Sequence, residues 1–347
     1  MINKINLKEL KTLLKVEEIN SLIQHAKNIS LITHQNPDGD AIGSMLALYH
    51  FLQQYKGKEI HAIVPDDFPD FLAWMPKSEE ILICTNVSEE IIKVLENSDL
   101  IICLDFNHTS RIQCLRETVL NVNADKVLID HHPNPEDFTR FVFSETNVSS
   151  TSELLYHIMT SLEGEIDKDI AACLFTGIMT DTGGFSHNSS SPGTYEIVAE
   201  LLKTGIDKNA IFDNIYNNFT SDRMRLMGYC LNEKMKVFPE YKTAYISITK
   251  EEMNKYNFKT GDTEGFVNLP LSIKGIVISA LFIERDGMIK ASFRSKGKVA
   301  VNELSKKHFN GGGHRNAAGG ELYESMDKTL EKFISILPEY RNEIEKV

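Results

Sequence analysis

The sequence predicts an α/β protein: a parallel-sheet N-terminal domain followed by a smaller, mixed α/β domain. Three observations carry that expectation. Before residue 187, short apolar runs alternate with helical patterns, and strands apolar on both faces belong in a parallel sheet covered by helices. From 233 onward the runs lengthen and alternate apolar with polar residues, the period of a sheet with one wetted face. The chain has 347 residues, and single cores seldom grow past about 250–300. The expected division is 1–188, a helical connector over 189–232, and 233–347.

The elements follow in order. An amphipathic helix pattern opens the chain in MINKINLKELKTLL and runs over about 7–27. ISLITH (29–34), EIHAIVP (59–65), DLIICLD (99–105) and KVLID (126–130) read as buried strands. Helices are expected after the first of these, in AIGSMLALYHFLQQY, and at about 88–97, 108–117, 150–162, 168–181 and 193–204. Residues 193–232 look wholly helical. The second domain offers TAYISIT (243–249), IVISALFIE (276–284) and MIKASFRSK (288–296) as strands, then a glycine-rich stretch, GGGHRNAAGG (311–320), and a last helix near 324–337.

Composition excludes several classes. The chain carries 49 acidic and 37 basic side chains, a balance of −12, whereas a protein that grips long duplex nucleic acid is usually basic. Residues 285–315 depart from that sign, with eight basic side chains against two acidic ones, which suits a short phosphate ligand. The five cysteines form no CxxC pair and read as reduced, buried thiols. No stretch has a signal-peptide core or the roughly 20 apolar residues of a membrane span. A cytoplasmic location is expected.

The polar residues of interest stand where apolar elements end. Ligand sites of open α/β sheets lie beyond the carboxyl ends of the strands. His34 closes the first strand, and Asp38 and Asp40 follow in the turn PDGD. Asp105 closes LIICLD, Asp130, His131 and His132 close another strand, and Asp181 ends the run AACLFTGIMT. Any one such aspartate is as easily a helix cap or turn former. Their convergence on one rim is what matters. Four carboxylates brought together repel one another unless cations lie between them, and mixed carboxylate and imidazole donors without cysteine favour Mn²⁺ or a similar metal over structural zinc.

HxNPDGDxxGS (34–44), the isolated Asp105, the Asp130-His131-His132 triplet and Asp181, in this order, resemble the DHH phosphoesterase superfamily. GGGHRNAAGG resembles its DHHA1 substrate domain. The resemblance covers nearly the whole chain and is strongest to the bacterial nanoRNase/pAp phosphatase branch. It implies that His34 and Asp38 hold one metal, that Asp40, His131 and Asp181 hold a second, and that Asp105 bridges the two. Asp130 then orients a histidine, as carboxylates do behind metal-bound imidazoles, and His132 faces the phosphate. Asp105, Asp130 and His132 are thus the expected catalytic group. The implied cofactors are two divalent ions, Mn²⁺ first, with Mg²⁺ or Co²⁺ as alternatives.

Substrate contacts are expected from Arg294, suited to bidentate phosphate recognition, and from His314 with Gly312 and Gly313, whose backbone admits an anion closely. Asn107 and Arg111, just after Asp105, join them. Glu264 is a lesser candidate, and Lys296, Lys298, Lys306 and Lys307 read as solvated charges. The resulting expectation is a two-metal phosphoesterase that cleaves short oligoribonucleotides to mononucleotides, pAp to AMP and phosphate, or both. Its alternatives are a phosphodiesterase of cyclic or linear dinucleotides such as c-di-AMP or pApA, a pyrophosphatase or exopolyphosphatase, and a nucleotide sensor without turnover. The partners implied are short RNA or small phosphorylated nucleotides, with no long duplex and no membrane, and the family implies a homodimer.

Overall fold

The structure, a computed structural model, describes residues 7–84 and 88–345. The first six residues of the amphipathic N-terminal stretch lie outside these, and its helix, α1, covers Leu7–His25. The chain forms two compact units divided between Asn218 and Phe219, each with its own sheet, as the expected α/β class requires.

The first unit is built on six parallel strands: β1 (Asn28–Ile32), β2 (Glu59–Val64), β3 (Leu82–Ile83), β4 (Leu100–Leu104), β5 (Asp125–Asp130) and β6 (Phe141–Ser144). Their order is β3-β2-β1-β4-β5-β6. The period of two sorts their side chains between two cores. Ile29, Leu31, Leu100, Ile102, Val127 and Ile129 face one apolar cluster, and Ile32, Ile101, Cys103 and Leu128 the other. Helices cover both faces, which is why these strands read as continuous apolar runs. α2 (Gly39–Gln53), α5 (Thr151–Ser161) and α6 (Lys168–Asp181) contribute to the first cluster, and α3 (Glu89–Glu96) and α4 (Arg116–Asn121) to the second.

The structure refines the sequence reading at three places. The helix expected over 108–117 is a 3₁₀ run, Thr109–Leu115, interrupted at Gln113 before α4 begins. β3 and β6 escaped notice because two and four residues are too few to establish a period. Residues 193–232 are helical in pieces, α7 (Pro192–Lys203), α8 (Lys208–Tyr216) and α9 (Ser221–Tyr229), the last running into a π-helical turn at Cys230–Lys234. Gly205, at φ 85°, turns the chain out of α7, and the side chains of Asp207 and Thr220 accept from the first amides of the next two helices. α7 and α8 belong to the first unit and α9 to the second.

The second unit is a six-stranded mixed sheet. Its strands are β7 (Met235–Phe238), β8 (Thr243–Ile248), β9 (Ile278–Arg285), β10 (Met288–Ser295), β11 (Gly312–His314) and β12 (Ala317–Leu322). They run in the order β11-β12-β10-β9-β8-β7, antiparallel except where β8 meets β9. On one face α11 (Val301–His308) and α12 (Met326–Ile336) close a core rich in phenylalanine, with Phe282, Phe293, Phe309 and Phe333 in mutual ring contact. The glycine-rich stretch is therefore a strand pair. Glycines carry no alternating side chains, so its period was invisible. Gly313 sits at φ 133°, and a Cβ there would lie 2.6 Å from the Ala317 carbonyl oxygen, so close pairing of β11 to β12 requires glycine at that position.

Candidate metal centre

The strand order reverses between β1 and β4. β1 leads away toward β2 and β4 toward β5, so a crevice opens beyond their carboxyl ends. His34 lies just past β1, Asp105 just past β4, and Asp130 ends β5. Asp38 caps α2, accepting from the amides of Asp40 and Ala41 at 3.1 Å each. Asp40 sits in the first turn of α2, and Asp181 ends α6. Glycines bring those two helices together. A Cβ on Gly43 would lie 2.6 Å from the carbonyl oxygen of Cys173, and one on Gly39 would enter the Thr180 side chain.

All the residues named at the strand and helix ends of the first unit converge. Asp105, held at φ 62°, lies between two histidines. Its Oδ1 is 3.5 Å from His131 Nε2 and its Oδ2 is 3.4 Å from His34 Nε2. His131 Nε2 is also 3.6 Å from Asp181 Oδ2 and 4.0 Å from Asp40 Oδ2, while His34 Nε2 is 4.0 Å from Asp38 Oδ2. Two donor sets therefore share one carboxylate, and His34, Asp38 and Asp105, like Asp40, Asp105 and His131, have the spacing of atoms that can ligate a common cation.

The electrostatics fit that use. His34 donates through Nδ1 to the Gln35 carbonyl at 2.8 Å, which leaves its buried Nε2 as a bare acceptor with no hydrogen bond. Burial, and then the Arg111 charge, lower its pKa to about 4. A lone pair aimed at carboxylate oxygens is unfavourable until a cation stands between them. Burial pushes Asp105 well above the usual carboxylate range, with Asp38 adding to the effect. Burial and then Asp105 raise Asp40 to about 7. Burial would raise Asp38 too, but His34 and the α2 amides outweigh it and hold that carboxyl below its ordinary value. Crowded carboxyls that resist ionising together, beside an imidazole that resists protonation, form a site that suits divalent cations.

Around this centre, Asp130 holds His132. Its Oδ1 is 2.8 Å from the ring Nδ1 and its Oδ2 accepts from the His132 amide at 3.1 Å. Arg111 Nη1 is 3.4 Å from His132 Nε2 and donates to the Asp105 carbonyl at 3.4 Å. Asn107 donates to the Pro133 carbonyl at 2.7 Å, so its side-chain NH₂ ties together the loops that follow β4 and β5.

Sequence reasoning missed three residues here. The Thr151 and Ser152 amides, at the start of α5, donate to the two oxygens of Asp40 at 2.7 and 3.0 Å, and the Thr151 hydroxyl donates to Asp105 Oδ1 at 2.9 Å. Glu136 accepts from the Thr109 amide at 2.7 Å, while its own amide donates to the Asn107 carbonyl at 2.7 Å. The signal for the first pair was present: SSTSE, with Ser150 capping α5 and a glutamate three residues on, marks a helix start that can receive a carboxylate. Glu136 had no such signal.

In the second unit, Arg294 and His314 both stand opposite Ala317, on the two strands that flank β12. Directly opposed residues project to one face, so the two side chains share a row with a methyl group between them. Gly312, Gly319 and Ser292 form the adjacent row on that face, and a Cβ on Gly312 would meet nothing within 4 Å. The result is a patch of nearly bare backbone edged by Arg294 and His314. Several of the neighbouring charges are already engaged: Lys307 with Glu339 at 2.6 Å, Lys296 with the Leu271 carbonyl, and Arg285 over the Phe258 ring. The local excess of positive charge therefore overstates what a ligand would meet. Glu264 holds Arg223 through its carbonyl, at 2.8 Å, and Arg223 stacks on Phe219.

Residues 28–178 match the DHH family, N-terminal domain, and residues 240–342 match the DHHA1 domain. The chain is 30% identical over 312 residues to the bifunctional oligoribonuclease and PAP phosphatase NrnA of Thermus thermophilus, covering 90% of this chain and 89% of that protein. The Bacillus subtilis protein of the same name is 27% identical, with coverage of 90% and 95%. Among solved structures, an exopolyphosphatase-related protein from Bacteroides fragilis superposes with a TM-score of 0.89 at 44% identity, covering 96% of this chain and 98% of that one.

Proposed function

The chain belongs to the DHH family and carries a DHHA1 domain, and from that premise we propose that it cleaves short oligoribonucleotides to mononucleotides and pAp to AMP and phosphate, using two divalent cations, Mn²⁺ first. It is a hydrolase acting on phosphoester bonds. The observation that carries the two-cation reading is Asp105, with one oxygen in each donor set. His34 and Asp38 would hold one ion, Asp40, His131 and Asp181 the other. Bound there, the ions would offset the carboxylates, lower the pKa of an attacking water and stabilise charge on the phosphate oxygens.

The chain's own groups do the rest. Asp130 accepts from His132 Nδ1 and fixes the ring, so that Nε2 is the nitrogen that would exchange a proton with the leaving oxygen. Arg111, beside that nitrogen, balances phosphate charge. Asn107 keeps the two loops in register. Arg294, His314 and the backbone at Gly312 and Gly313 are the substrate contacts of the second unit, and their patch suits one or two phosphate groups, not a long strand. The names of the Thermus thermophilus and Bacillus subtilis relatives support the substrate class.

A second reading, polyphosphate hydrolysis, is favoured by the name of the 44% identical Bacteroides fragilis protein. One panel separates the two. With Mn²⁺, turnover is measured on RNA of two to five nucleotides, a much longer RNA, pAp, pApA, pyrophosphate and polyphosphate. Turnover concentrated on the short RNAs and pAp is expected. Preference for polyphosphate would replace the first reading with the second, and preference for the long RNA would sink the short-substrate account.

A further inference from the structure

Thr151 is fully buried and reaches two of the candidate ligands at once. Its amide donates to Asp40 Oδ2 at 2.7 Å and its hydroxyl to Asp105 Oδ1 at 2.9 Å. These oxygens both face His131 Nε2, at 4.0 and 3.5 Å. The other oxygen of Asp105 faces His34, which Thr151 does not touch. Asp38, the remaining carboxylate on that side, takes its hydrogen bonds from Asp40 and Ala41, and its side chain is 45% exposed against 1% for Asp40. Beyond the shared Asp105, one donor set is therefore braced through Asp40 by a buried residue of another helix, and the other is held by the Gln35 carbonyl and the first turn of α2.

We propose that Thr151 is a positioning residue that makes the two cation sites unequal: its hydroxyl fixes the Asp105 carboxylate so that the His131 side is the tighter site and the His34 side the exchangeable one. This rests on the two-cation reading above. The terminal torsion of an aspartate is broad and roughly twofold, so a carboxylate shared between two ions needs an external donor to hold its plane. The Thr151 amide meets the same requirement for Asp40. Because the amide survives any substitution, the hydroxyl can be tested by itself. Loss of an outer partner of a ligating group typically costs about 10–100-fold in metal affinity.

The test is a Mn²⁺ titration of the full chain, read by calorimetry and by the electron paramagnetic resonance of unbound Mn²⁺, with no substrate present. The wild-type protein should bind two ions with distinct affinities. Thr151→Val keeps the shape and removes the hydroxyl; it should weaken the tighter event by about 10–100-fold and leave the weaker one within about twofold. Thr151→Ser should restore the wild-type pattern. Thr151→Ala, which also lacks the hydroxyl, replaces the valine variant if that one does not fold. Two ions bound by the folded valine or alanine variant with unchanged affinities would overturn this inference and leave the two-cation reading intact, and so would equal weakening of both events. A wild-type protein that binds fewer than two Mn²⁺ ions overturns the two-cation reading and this inference with it.

Discussion

The two units solve opposite electrostatic problems with sheets of equal size. In the first, Asp105, Asp130, His34 and His131 at the ends of parallel strands, and Asp40 at the start of α2, are almost entirely buried. There each charge is costly without a partner. In the second, Arg294 and His314 are only partly buried, on a sheet face whose cross-strand neighbours are glycine, alanine and serine. Those neighbours, Ala317, Gly319 and Ser292, carry no charge. The contrast teaches that polar residues in the first unit act as a set and those of the second as separate contributors.

Breaking the contrast begins with Asp105→Asn. Because both donor sets share that carboxylate, turnover should fall by more than the roughly 10–100-fold typical of an outer partner, and Mn²⁺ titration should show both binding events impaired. Wild-type rates in this variant would remove the two-cation assignment. Asp130→Asn tests an outer partner directly. It should lower kcat about 10–100-fold through His132 while two Mn²⁺ ions still bind.

The second unit should respond in a graded way. Arg294→Lys keeps the charge but loses the planar fork. A charge-assisted hydrogen bond contributes about 1.5–3 kcal/mol, so KM for pAp should rise about tenfold or more with kcat little changed, as initial-rate kinetics will tell. An equal fall in kcat would show that this unit is not a separable contributor. Lys298→Ala and Lys306→Ala, at exposed positions, should leave KM within about twofold and stability within about 0.5 kcal/mol by thermal melting.

The same contrast explains what was legible in the sequence. His34, Asp38, Asp40, Asp105, Asp130, His131, His132 and Asp181 stand out because each interrupts an apolar run at the end of an element. The parallel sheet was equally legible, since Ile29, Leu31, Leu100 and Ile102 could only be buried. Thr151 and Ser152 announced only a helix start, which does not say which carboxylate it will meet, and Glu136 was hidden because it acts on a backbone amide, which every residue type supplies. The β11–β12 pair was hidden for another reason: a strand read by its side chains cannot be recognised where glycine leaves none.

The contact of α2 with α6 at Gly43 has an effect on how such a chain can change over generations. At that contact α2 and α6 meet backbone against backbone, 2.6 Å from where a Cβ would stand, so it holds no side chain to enlarge or trim by a methyl group. Drift can adjust the loops, the helix surfaces and the Thr180 side chain that packs over Gly39 in small increments. The Gly43 contact offers no small increment, and a lineage must keep the glycine or shift the helices apart.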